Sequence, residues 1–120
     1  MGCEDAIGGS NYYVPDGAGG VRPAGLLEWG AWFETAGHDV PVRDGGRRVG
    51  DDEVPPDARV STVFLGTNMN VFGGAPLLYE TMIFGGPHDG WQRRYPTLAA
   101  AEAGHAAAVA WLRGEGAEPG

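Results

Sequence analysis

The stretch Arg59-Val60-Ser61-Thr62-Val63-Phe64-Leu65, with its counterpart Leu77-Leu78-Tyr79-Glu80-Thr81-Met82-Ile83-Phe84, decides the fold. Both runs are rich in β-branched and aromatic residues, which suit a pleated, half-buried surface. The Gly66–Pro76 segment between them is turn-forming, so they are predicted to pair antiparallel. Alternate residues of a strand share a face. Leu78, Glu80, Met82 and Phe84 therefore fall on one side, and Leu77, Tyr79, Thr81 and Ile83 on the other. Both sides are largely apolar, which predicts a central position in a sheet.

Working outward, Gly85-Gly86-Pro87 ends the second strand. Thr97 reads as an N-cap, followed by an alanine-rich helix to about Arg113. Leu98, Ala101, His105, Ala108, Val109 and Leu112 recur at helical spacing on it. Upstream, the acidic stretch from Gly50 to Asp57 reads as a loop. Asp39 to Arg43 and Arg47 to Val49 read as strands joined around Asp44-Gly45-Gly46. Ala24 to Thr35 predicts a helix, with Leu26, Leu27, Gly30 and Phe33 on one face flanked by Trp29 and Trp32, with Trp29 and Phe33 able to face the sheet, and with Gly37 as its stop. Tyr12-Tyr13-Val14 and Gly19 to Arg22 flank Pro15-Asp16-Gly17, a hairpin signal. The expectation is an α+β fold: a mostly antiparallel sheet of four to six strands with two helices packed on one face.

The chain has 120 residues, which suits one domain, with flexible ends expected at about 1–10 and 114–120. Its 16 acidic residues outnumber 8 basic ones, a formal net charge of -8, and lysine is absent. That balance argues against non-specific nucleic-acid binding and against anionic membranes, and it suits basic protein partners. A single cysteine, Cys3, forms no internal disulfide and no Cys-x-x-Cys clip. Glu4 and Asp5 and the lack of an apolar run argue against a signal peptide, and no stretch is apolar enough to span a bilayer. A cytoplasmic location is expected.

Tyr13-Val14-Pro15-Asp16-Gly17, Trp29-Gly30-Ala31-Trp32-Phe33-Glu34, Val60 to Gly66, Pro76 to Pro87, Arg94-Tyr95 and Glu102-Ala103-Gly104-His105 together resemble one family. It is a set of small uncharacterised proteins encoded in bacteriophages and prophages. The resemblance runs from about Tyr12 to about Val109. It implies a phage or prophage gene acting in a bacterial cytoplasm, and it carries over no functional residue. The family usually continues after Phe-Leu-Gly with Leu-Asp-His. This chain has Thr67-Asn68-Met69-Asn70, which removes that pair and leaves a loop able to bind through Asn68 and Asn70.

Candidate residues fall into two groups. Glu102 and His105 share a helix face, a spacing used by metal-binding helices, but such sites need a second copy and further glutamates. The alternative is a histidine hydrogen-bonded near the sheet, to Glu80 or a backbone carbonyl. Glu80, flanked by apolar neighbours, reads as a catalytic acid or as the ion-pair partner of Arg59. Ser10, Ser61 and Thr62 sit in no nucleophile elbow. His88-Asp89 reads as a turn pair. The glycine clusters lack the lysine of a phosphate-binding loop. Trp32, set off from Phe33 by about 100° on the helix, is expected to be partly exposed. With Tyr12, Tyr13 and Arg22 it suggests a contact surface, a dimer interface or a stacking pocket.

No catalytic set, metal set or cofactor motif emerges. The leading reading is a non-enzymatic phage accessory protein that binds a host or phage protein, with a homodimer as a further option. The alternative is a small-molecule binder that captures a nucleotide signal of bacterial defence. A hydrolase using Glu80 and His105 ranks third.

Overall fold

The computed structural model describes residues 11–18, 20–37, 39–68, 70 and 73–119. Cys3, Ser10, Gly19 and Met69 lie outside the described residues. In chain order the elements are β1 (Tyr12–Pro15), β2 (Val21–Ala24), α1 (Leu26–Thr35), a 3-10 turn (Val42–Asp44), β3 (Arg48–Val54), β4 (Ala58–Phe64), β5 (Tyr79–Phe84), β6 (Gln92–Tyr95) and α2 (Leu98–Leu112). The fold is α+β, with a two-stranded hairpin β1-β2 and a four-stranded antiparallel sheet ordered β3-β4-β5-β6.

β4 and β5 pair as their sequences predict, in a register running from Arg59 opposite Phe84 to Phe64 opposite Tyr79. Val60, Thr62, Phe64, Tyr79, Thr81 and Ile83 form the buried face. Burying a large apolar side chain there contributes about 1.5–3 kcal/mol relative to leaving it exposed. α2 lies across this face. Thr97 caps it by accepting from the Ala100 N–H at 3.1 Å. Ala101, Gly104, His105 and Ala108 recur at helical spacing and are its buried residues. α1 meets the same core through Trp32, whose ring lies 5.4 Å from that of Phe64.

The structure corrects four expectations. The segment from Asp39 to Arg43 is no strand: Val42–Asp44 forms one 3-10 turn, and a lone bridge joins Pro41 to Arg48. The acidic segment read as a loop is most of β3: Arg59 grips Asp51 through two bonds of 2.7 and 2.8 Å, and His105 meets Asp52 at 2.7 Å. That guanidinium holds the Asp51 carboxyl below the usual carboxylate range. β6 was not anticipated, because Gln92-Arg93-Arg94 carries no apolar alternation. On the outward face of β5, which Glu80 shares with Met82 and Phe84, Glu80 pairs with Arg94 at 3.1 Å, not with Arg59.

Two tyrosines make the fold sensitive to alkali. Burial pushes the Tyr79 phenol above its ordinary value, with the Glu102 charge adding to the effect. Burial also raises Tyr95, partly countered by Arg93. A group whose pKa is higher in the folded state adds stability below its unfolded value and loses it as pH rises through the folded one. Thermal unfolding followed across the ordinary tyrosine pKa of about 10 should therefore show a falling Tm above that pH. Tyr79→Phe should remove most of the fall; an equally steep decline in that variant would exclude this cause.

Candidate functional site: the outer side of the first helix

Ten residues, Leu26–Thr35, form α1, and none is buried. Its two indoles settle its orientation. Trp29 and Trp32 are three apart and share a helix face, and each N–H finds an acceptor. Trp29 Nε1 donates to the Leu65 carbonyl at 3.4 Å, and Trp32 Nε1 to the Gly45 carbonyl at 2.8 Å. Trp29 also stacks on Phe33, with centroids 4.8 Å apart, and lies against Tyr12 at 5.4 Å. The Arg47 guanidinium sits 4.4 Å above the Phe33 ring, and its Nε donates to the Ala36 carbonyl.

Trp29 turns toward the sheet, and Trp32 packs on the core while staying partly exposed, as expected. Leu26 and Leu27, which spacing groups with Phe33, point outward. Leu27 is 88% exposed, Leu26 57% and Phe33 37%. Leu27 lies nearly opposite Trp29 on the helix, so seating the tryptophans turns it to solvent. The signal was in the sequence: two indoles on one face, each requiring a hydrogen-bond acceptor when buried.

Beside this surface, Tyr13 packs on the core and Arg22 forms an ion pair with Glu28. Four predicted binding residues therefore cluster around α1, but Trp32 and Tyr13 serve as anchors and Arg22 is paired. Asn68 and Asn70 build their own loop. The Asn68 side-chain oxygen accepts from the Asn70 and Leu77 N–H groups, and the Asn70 amide donates to the Ala75 carbonyl.

Glu80 and His105 do not meet. Glu80 is on the face of the sheet away from α2, and His105 is under α2, 8% exposed. Its Nε2 lies 2.7 Å from the Asp52 carboxylate and its Nδ1 2.7 Å from the Thr62 hydroxyl, which lies 2.5 Å from that of Thr81. An ionised carboxylate only accepts, so with a neutral ring the donors run Thr81 to Thr62 to His105 to Asp52. The order of groups is that of an acid–histidine–hydroxyl triad. The chemistry is not, because Thr62 and Thr81 have no exposed surface. A groove of about 340 Å³ runs past His105 and Asp52 toward Arg113 and Glu115, but the hydroxyl lies behind the imidazole. Glu102 instead reaches Arg43 at 3.0 Å, and no three His, Cys, Asp or Glu among the described residues gather to hold a metal.

No protein-family model, curated protein or solved structure matches the chain.

Proposed function

We propose that this is a non-enzymatic accessory protein, acting in the phage or prophage setting that its sequence resembles, and that it binds another protein through the outer side of α1. The observation that carries this reading is Leu27. A leucine left in water forgoes about 1.5–3 kcal/mol of burial. Here it sits next to Leu26 on a helix seated by Trp29, Trp32 and Phe33 rather than by either leucine. Adjacent exposed apolar side chains on one element mark a contact surface more often than scattered single ones do. The competing readings have less support. Tyr13 and Trp32 turn inward and Arg22 is paired, so these residues offer a nucleotide no stacking pocket. Glu80 and His105 lie on opposite faces of the sheet, which leaves a hydrolase without an assembled centre.

Affinity capture from bacterial lysate with the wild type and with Leu27→Asp tests the reading. The variant should keep its Tm within about 2 °C, since surface changes usually move stability by less than about 0.5 kcal/mol. It should recover the partner at least about tenfold less well, the loss expected for a central interface residue. Equal recovery would remove α1 as the binding surface.

A further inference from the structure

We infer that the partner presents an amphipathic α-helix whose apolar stripe crosses α1 at Gly30 and whose basic residue meets Glu34. This rests on the docking surface proposed above and names its occupant.

Gly30 is the deciding observation. Glycine inside a helix is destabilising relative to alanine. Some glycines of this fold are required by packing: a Cβ on Gly104 would lie 2.2 Å from the Tyr95 ring, and one on Gly50 2.7 Å from His105 Nε2. A Cβ on Gly30 would meet nothing within 4 Å. The fold itself therefore has no use for the missing methyl. A second helix does, because small residues let two backbones approach closely.

The surroundings fix the chemistry of that helix. Leu27, Gly30, Ala31 and Glu34 follow at i, i+3, i+4 and i+7, so they form one stripe. It is apolar at one end and carboxylate at the other. The nearby guanidiniums are engaged elsewhere, Arg22 with Glu28 and Arg47 with Ala36 and Phe33. A matching helix is apolar over Leu27 and Gly30 and cationic one turn further on.

A second copy of this chain fits badly. Packed antiparallel about Gly30, Glu34 would lie against Leu26, since both are four residues from the crossing. Packed parallel, Glu34 would meet its own counterpart. The antiparallel arrangement makes its mismatch twice, the parallel one sets two carboxylates against each other, and each copy carries a net charge of -8.

The test uses two synthetic helical peptides. Both carry leucines at alternating third and fourth positions; one borders that stripe with lysines and the other with glutamates. Titrations are followed by calorimetry on the full chain. The lysine peptide should bind at least about tenfold more tightly than its twin. Glu34→Lys should weaken it by about fivefold or more, whereas Glu115→Lys, an equal change in net charge beyond the end of α2, should weaken it less than about twofold. Gly30→Ala should raise Tm by about 3 °C through helix propensity and still weaken the peptide by about fivefold or more.

Three results would overturn the inference: undiminished binding by Gly30→Ala, equal effects of the two lysine substitutions, or a Leu27-dependent dimer without peptide. If the two peptides bind alike and Leu27→Asp weakens both, α1 still docks a partner but the assigned charge chemistry fails. If Leu27→Asp weakens neither, the docking surface itself fails.

Discussion

Alanine in place of Gly66 is expected to lower the unfolding free energy by about 3 kcal/mol, a fall in Tm on the order of 10 °C. Two costs add. Gly66 has φ +73°, a left-handed conformation that disfavours any side chain. A Cβ there would also lie 2.5 Å from Trp29 Nε1 and 2.8 Å from the Tyr13 carbonyl oxygen. Neither neighbour yields easily. The Tyr13 N–H donates to the Gly66 carbonyl at 2.7 Å, and Trp29 donates to Leu65 next door. Gly66 is thus the seat on which the β1-β2 hairpin and α1 rest against the sheet. The variant should lose near-ultraviolet dichroism from its tryptophans and lose peptide binding along with stability. Trp29→Ala should be partly non-additive with it, because it removes one clashing atom. A Tm change below about 2 °C would contradict the steric account.

His105→Ala should cost a similar amount, about 3–4 kcal/mol, by a different route. The substitution empties a site under α2 and strips the Thr62 hydroxyl of one of its two buried partners. The ranking of neighbouring variants is the sharper check. Thr62→Val keeps the shape but breaks the chain at its middle, for about 1–2 kcal/mol. Asp52→Asn keeps an acceptor at the half-exposed end and should cost less than about 1 kcal/mol. Chemical denaturation of the three variants gives the order directly. A loss from Asp52→Asn as large as that from His105→Ala would show that charge, not satisfaction of buried groups, holds the chain together. None of the three should alter docking at α1.

The elements with a strong pattern were legible. β4, β5 and α2 each carry a long run of one kind, β-branched or alanine-rich, and their pairing and capping followed from local rules. β3 was hidden because the sequence Asp51-Asp52-Glu53 looks solvated. Asp51 and Asp52 are met there by Arg59 and His105, from other elements. Partners of that kind are tertiary facts and leave no mark on β3 itself. β6 is an edge strand too short and polar to announce itself. α1 was legible as a helix, but spacing grouped Leu26 and Leu27 with Phe33, because apolar residues surround nearly its whole circumference and spacing alone does not choose among faces. The indole acceptors chose. The same fact governed the site. Trp32 was correctly singled out by size and helix, but its role is to anchor, and the residues that reach outward are the less conspicuous Leu26, Leu27 and Gly30.

That α1 has no buried residue also bears on how this protein can change over generations. Under α2, Ala101 and Ala108 have no exposed surface and Gly104 is flush with Tyr95, so drift there is confined to the smallest side chains. On the outer side of α1 the constraint is reversed: exchanging Leu26, Leu27, Ala31 or Glu34 disturbs almost nothing that keeps the chain folded. Partner choice can therefore diversify quickly on a scaffold that stays the same.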